Sequence, residues 1–439
     1  MRQLSGLFKK IRNIIPSSLK PEQKKQTGDF TRKRCLTLPR LITCILGLVA
    51  GGKTEGADIE LAVLFKMARR SKLWPEAKAP GRSALSRARE KVPWQAFEEM
   101  QERAASLAYE VWPEREGDRW HGMNVLAVDG SKFNLPATEK IRQEFDPESG
   151  LQTPGKGHYP QAMVSTLYDV LRGFPVARTV MPYCTCERKE ALKLLPSSPK
   201  NSLILFDRGY PAYWFLHRMM LDFSSHFLMR CPTSATFSAL TNFLKGSQNE
   251  AVIQIAPTES YTARQRKSLP TLTLRAIRAR TPEGKDVALL TNLLDSESIS
   301  AGEITALYFK RWEVEVYYRE EKGVQDLERF HSRTPHGLRQ EYFAVMVLTV
   351  ISRTMAALSE EGEGLPAGRG QRKHAVIALA RDAALLTPTR PRQALALFQE
   401  LLGEMARIKY YAPKTARPSV PRVCKKSRPK FPKPKAAPA

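Results

Sequence analysis

The chain has 439 residues, enough for a large buried core spread over two or three domains. Hydrophobic residues make up 42% and charged residues 26%, the composition of an ordinary soluble protein, and six scattered cysteines without paired C-x2-C elements disfavour a zinc module and suit a reducing cytosol. The charge is not ordinary: 70 Lys and Arg against 44 Asp and Glu leave +26, which favours a polyanionic partner, nucleic acid ahead of a membrane surface or the ribosome.

Residues 1–40 carry eleven Lys or Arg and two acids, a basic N-terminal arm. The apolar run "LITCILGLVAGG" that follows is too short to cross a bilayer, and after so long a basic lead it does not resemble a secretory signal. Residues 41–118 have the apolar spacing of helices, with Pro93 breaking "GRSALSRAREKVPWQAFEEMQERAASLAYEVW" into two. Arg82, Arg87 and Arg89 lie there beside small residues, so this region reads either as a DNA-docking helix or as a solvated helix of a bundle.

From about residue 121 the texture changes. "MNVLAVDGSKF" is a buried strand expected to stop at an Asp-Gly turn, and "QAMVSTLYDVLRGFPVARTVMP" is a hairpin turning at Arg172-Gly173. "ERKEALKLL" reads as a short helix, "NSLILFDRGYP" as a second buried strand, "AYWFLHRMML" as a helix and "HFLMRCP" as a strand. Residues 236–294 are β-rich, and one long helix is expected over 300–322, followed by the apolar helix "EYFAVMVLTVISRTMAAL". The order implies an α/β fold with a mixed sheet, spanning 119–360, into which β material is inserted. A C-terminal helical region over 361–411 precedes a basic tail, 412–439, whose nine Lys and Arg without an acid predict disorder and phosphate binding that reads no sequence, or a solubilising appendage.

Asp129 and Asp207 both fall at the carboxyl end of an apolar strand, where open α/β sheets gather functional groups. Two carboxylates there could hold a hard divalent cation such as Mg²⁺, although each Asp alone is equally a common turn residue. In the long helix, about 100° per residue puts Tyr308, Arg311, Glu315 and Lys322 within an arc of about 60°, strung over about 21 Å. An acid flanked by a phenol and two cations suits metal-assisted phosphoryl transfer on DNA, and a plain Arg311–Glu315 ion pair is the competing reading.

The spacing Tyr308-x2-Arg311-x3-Glu315-x6-Lys322 resembles the Y-x2-R-x3-E-x6-K signature of bacterial insertion-sequence transposases of the DDE class, the insertion-sequence family four type. "LAVDGSKF" and "ILFDRGYP" resemble that family's first and second catalytic Asp segments, and the likeness covers roughly residues 35–360. It implies a ribonuclease H-like catalytic core with a β-rich insertion, preceded by a helical DNA-binding region. Asp129, Asp207 and Glu315 would bind two Mg²⁺ ions, with Mn²⁺ as a substitute, and Tyr308, Arg311 and Lys322 would contact phosphates near the cut end. The implied partners are double-stranded DNA, as terminal inverted repeats and target, and a second copy of the chain in an end-paired homodimer, with no membrane. The implied reaction is end cleavage and strand transfer by a cut-and-paste route through a hairpin. Hairpin-forming relatives hold a flipped base with a Trp of the β-rich insertion. Here the only Trp between Pro211 and Tyr308 is Trp214, in another segment, leaving Phe237, Phe243 or Tyr261 as substitutes. A DNA-binding protein without transposition, and a ribonuclease H-like nuclease without strand transfer, are the alternatives.

Overall fold

The computed structural model describes residues 2–409 apart from 17–18, 32–33, 51–55, 148–158, 224, 233–236, 258–261, 263–267, 281–283, 285, 367 and 369. The tail expected over 412–439 lies outside them. The chain opens with helix α1 (Arg2–Arg12), and this corrects the expectation of a basic arm. Phe8, Ile11, Ile14, Ile15 and Leu19 are buried, Phe8 packing at a tilt against Phe398 with ring centroids 4.7 Å apart. Arg12, itself buried, donates to the carbonyls of Thr387 and Thr389. The lysines and arginines that dominate a charge count ride on an apolar stripe that docks the segment.

Four helices follow: α2 (Leu38–Leu48), α3 (Ala57–Arg70), α4 (Arg82–Arg89) and α5 (Gln95–Val111). The apolar run is α2, with Leu41, Ile42, Cys44, Ile45 and Leu46 fully buried. Pro93 separates α4 from α5 as expected, because a proline ring cannot continue the helix before it.

The α/β half begins with β1 (Asn124–Asn134), α6 (Glu139–Phe145) and the hairpin β2 (Gln161–Asp169) and β3 (Phe174–Pro182), whose turn uses Gly173 at φ 79°. Then come α7 (Glu187–Leu194), β4 (Ser202–Phe206), α8 (Tyr213–Asp222), β5 (His226–Cys231) and α9 (Ser238–Lys245). The inserted strands are β6 (Glu250–Ile255), β7 (Leu272–Arg280) and β8 (Asp286–Thr291). One sheet of eight strands results, in the order β3-β2-β1-β4-β5-β8-β7-β6. β1, β4 and β5 are parallel and every other pairing is antiparallel. The first five strands carry the ribonuclease H-like order, and the insertion prolongs the same sheet from the edge of β5.

Helix α10 (Ala301–Tyr308), a 3₁₀ turn (Phe309–Arg311) and α11 (Trp312–Gly323) replace the single long helix expected. The chain closes with α12 (Pro335–Gly362), α13 (Arg372–Arg381) and α14 (Pro391–Arg407). By length and composition α12 could span a bilayer, yet 94% of its most apolar stretch is buried in the protein. It is the core helix, against which α5, β3, α13 and α14 all pack.

Candidate active site

Strand β1 does not stop at Asp129-Gly130, which corrects the turn expected there. Asp129 pairs with Thr166 and Gly130 with Ser165, and the ladder with β2 runs on to Asn134. What ends is the other neighbour: β4 pairs with β1 only from Asn124–Ser202 to Ala127–Leu205. Asp129 therefore stands where its parallel partner leaves off, and Asp207 is the first residue beyond that partner. Asp129 lies two positions after Ala127 and Asp207 two after Leu205, so the alternation of a strand sends both carboxylates toward one face. The Gly209 N–H donates to Asp207 Oδ1 at 2.7 Å, and a Cβ on Gly209 would sit 3.0 Å from that oxygen. A side chain at Gly209 would crowd the acid.

Glu315 comes from α11. The 3₁₀ turn before it breaks the ideal 100° stripe, and the four signature residues then divide. Tyr308 is buried at the end of α10, its phenol pushed up to about 12 chiefly by burial. Arg311 donates to Glu315 Oε1 at 2.7 Å, so the ion pair weighed from sequence is formed. Lys322 reaches back to β1, donating to Ser131 Oγ at 2.8 Å and the Lys132 carbonyl at 2.7 Å. Two cations of the stripe thus hold protein groups, one turning the Glu315 carboxylate and one tying its helix to the strand of Asp129.

Other side chains fix α11 more firmly, and sequence reasoning missed them. Tyr318 donates to the Asp129 carbonyl at 2.8 Å. Glu321 accepts twice from Arg178 of β3, at 2.8 Å each, and once from the Tyr317 hydroxyl at 2.6 Å, and both side chains of the ion pair are fully buried. Burial opposes both charges, and the Glu321 carboxylate outweighs it on Arg178, holding the guanidinium above its ordinary value. Next to it, Glu320 accepts from Arg353 of α12. The sequence signal was an Arg inside the apolar strand "FPVARTVMP" and an acid one residue before Lys322, both unlikely to be buried unless paired.

The electrostatics gather the three acids. Asp129 is pushed up to about 7, first by burial and then by the charges of Asp207 and Glu315, against the pull of Arg311. Asp129 therefore feels both other acids, as expected of hard oxygen donors that a divalent cation would relieve. Among the described residues no group of three or more His, Cys, Asp or Glu side chains is arranged to hold a metal ion. The acids do not form a ready single-ion cage, and Asp129 is the carboxylate on which the charges of the other two act.

A family model for a transposase DDE domain matches residues 120–351, more than half the chain, spanning β1 to the middle of α12. The chain belongs to the transposase DDE-domain family. It is 25% identical over 350 residues to the transposase InsG of insertion sequence element IS4 from Escherichia coli K12, covering 77% of this chain and 74% of that protein. It is 25% identical over 185 residues to the putative transposase InsZ of the same strain, covering 40% of this chain and 59% of InsZ. A cryo-EM structure of the piggyBac transposase synaptic complex with hairpin DNA aligns over 95% of this chain and 84% of its own, at 12% identity and a TM-score of 0.36, too distant to carry an argument.

The protein is thus a DNA transposase, and its family cleaves and rejoins phosphodiester bonds with divalent metal ions. Two expectations about this transposase need correction. Arg89 of α4 does not face DNA: it is buried, donating to Glu341 at 2.8 Å, to Gln340 and to the Gly337 carbonyl, and so bolts α4 to α12. Arg82 and Arg87 remain exposed. Phe243 cannot hold a base as it stands, being buried in the core beneath the Arg278 guanidinium. Trp214 and Phe237 are half-buried against the core, and Tyr261 lies outside the described residues. Exposed aromatics among the described residues include Phe309 and Trp312, at 50% and 49%, on either side of Arg311 where the 3₁₀ turn meets α11.

Proposed function

We propose that Asp129, Asp207 and Glu315 are the catalytic acids of a cut-and-paste transposase and hold two Mg²⁺ ions, with Mn²⁺ as a substitute. The observation that carries this reading is the alignment of Asp129 with Asp207 at the end of the β1–β4 ladder, within the charge field that also takes in Glu315. Bound cations supply activation of an attacking oxygen and charge stabilisation at a leaving one. The chain does the rest: Asp129 lies in the charge of both other acids, Gly209 holds Asp207, and Arg311 aims Glu315. Water attacks the phosphodiester at the transposon end, the leaving oxygen becomes a 3′-hydroxyl, and that hydroxyl attacks target DNA.

Tyr308, Arg311 and Lys322 are assigned to phosphates beside the cut end, where Arg311 and Lys322 border both acid and strand. Phe309 and Trp312 are suited to stack on bases unpaired there, since exposed rings on either side of a phosphate-binding Arg offer a π-face at no cost in core packing. The helical region 41–118 is assigned to the terminal inverted repeats, through the exposed Arg82 and Arg87 and the basic end of α3. A homodimer pairs the two ends.

The test is an assay of full-length protein on DNA built from the sequences flanking its gene, with Mg²⁺ added last. Expected are a nick at the repeat end, strand transfer, and loss of both in Asp129→Asn; a hairpin product would establish that intermediate. Normal cleavage by Asp129→Asn would refute the assignment.

A further inference from the structure

Every acid of α11 is already matched by a cation. Glu313 lies 3.7 Å from Arg372, Glu315 pairs with Arg311, Glu320 with Arg353 and Glu321 with Arg178. Arg319 of the same helix is left over. It is exposed, and among the described residues its side chain makes no hydrogen bond or ion pair. Glu315, four residues before it, stands at the spacing that usually pairs on a helix, yet takes Arg311 instead.

The helix directs Arg319 outward. Val314, Tyr317, Tyr318 and Glu321 form its buried side. Because α11 is unbroken from Trp312 to Gly323, about 100° per residue places Trp312, Glu315 and Arg319 within about 60° of one another, turned away from that side. Along the axis, at about 1.5 Å per residue, Trp312 precedes Glu315 by about 4.5 Å and Arg319 follows it by about 6 Å. Glu315 thus stands between two flanks. On one are Phe309, Arg311 and Trp312, assigned above to the cut end. Lys310, also without a partner among the described residues, sits on that flank, in the 3₁₀ turn. On the other is Arg319. A Cβ built on Gly323, at the far end of the helix, would meet nothing within 4 Å, so this second flank is open.

Strand transfer brings two duplexes to one site. The 3′-oxygen of the cut end bonds to a target phosphorus, and the target's own 3′-oxygen leaves and takes up a proton. Both duplexes are polyanions, so the second to arrive needs cations of its own. We infer that Arg319 binds a phosphate of the target DNA on the side of Glu315 away from the cut end, a role that rests on the assignment of the three acids made above. A guanidinium suits it, since it grips phosphate oxygens through fixed donors and reads no sequence.

The experiment uses the full chain with Mg²⁺ and two substrates: uncut transposon-end DNA, and a pre-cut end with a free 3′-hydroxyl offered a plasmid as target. Arg319→Ala is expected to leave end cleavage and the melting temperature unchanged. It should lower transfer of the pre-cut end about tenfold at low plasmid concentration, the low end for losing a hydrogen bond to a charged group. More plasmid should recover the rate, because capture is weakened and the chemistry is not. The salt dependence of target capture should become shallower by about one in slope, and Arg319→Lys should restore most of the transfer. If Arg319→Ala transfers the pre-cut end like the unaltered chain, Arg319 is only a solvated residue, and the inference is overturned while the three acids stand. If it loses cleavage and transfer alike, Arg319 belongs to the cut end and the inference is again overturned. If Asp129→Asn cleaves and transfers normally, the site itself is misassigned and the inference falls with it.

Discussion

Asp129 and Asp207 stand at the same offset past the end of one parallel ladder. Ala127 faces Leu205 in the β1–β4 ladder, and each aspartate follows two residues later. The 78 residues between them in the chain are the offset of that ladder, the same from Asn124 to Ser202 as from Ala127 to Leu205. Two acids with one register cannot be moved apart without sliding a buried strand, which would also turn its apolar face outward.

Removing any one of the three acids without changing its size should stop the chemistry and spare the binding. Asp129→Asn, Asp207→Asn and Glu315→Gln are each expected to lower Mg²⁺-dependent end cleavage roughly 10²–10³-fold, the usual cost of losing one preorganised charge. Affinity for transposon-end DNA, measured by gel shift with Ca²⁺ or no metal, should be retained. A mutant that cleaves at the normal rate marks its residue as misassigned.

Asp129 should give the protein a pH signature. An acid whose folded value is raised, here to about 7 from an ordinary 3.8, costs stability progressively as pH climbs through that interval. Without divalent cation, the melting temperature contribution of this group should fall between about pH 4 and pH 7 and then level off. Asp129→Asn should flatten that slope. Cations compete with the same proton, so Mg²⁺ should raise the melting temperature more at pH 8 than at pH 5.

The Arg178–Glu321 pair should behave as a buried bolt. Arg178→Met leaves a fully buried carboxylate unpaired and is expected to destabilise by about 3–5 kcal/mol in urea unfolding. Arg178→Met with Glu321→Leu should recover much of that loss, because the uncompensated charge is gone. A double variant as unstable as the single one would mean that the bidentate geometry, not the charge, sets the cost.

Arg311→Ala and Lys322→Ala test the phosphate contacts. Each should weaken binding to the cleaved end and make its salt dependence shallower by about one in slope. An unchanged slope would leave Arg311 as the counter-ion of Glu315 only, and Lys322 as the tie to Ser131.

The sequence carried the fold class and the three candidate acids, because strands, hairpin and turn residues show in short-range periodicity and the signature lies within fifteen consecutive positions. It misplaced what depends on partners far along the chain. Residues 1–40 read as an arm because charge is additive along a sequence, while the docking of Phe8 on Phe398 is not. Arg89 read as part of either a DNA-docking or a solvated helix, and Glu341, 252 residues away, makes it a buried bolt. The strand through Asp129 was expected to end at Asp-Gly, but β2 carries it onward and the ending belongs to β4.

By itself, then, the sequence determined the sheet strands, the hairpin and the three candidate acids, since these follow from local pattern. Only the tertiary structure decided which charges meet: that Arg311 aims Glu315 and that Arg178 locks Glu321. The physical reason is distance. Coulomb and packing energies act through space over a few ångströms, and the residues that reach that range are brought there by the register of a sheet, not by their order in the chain.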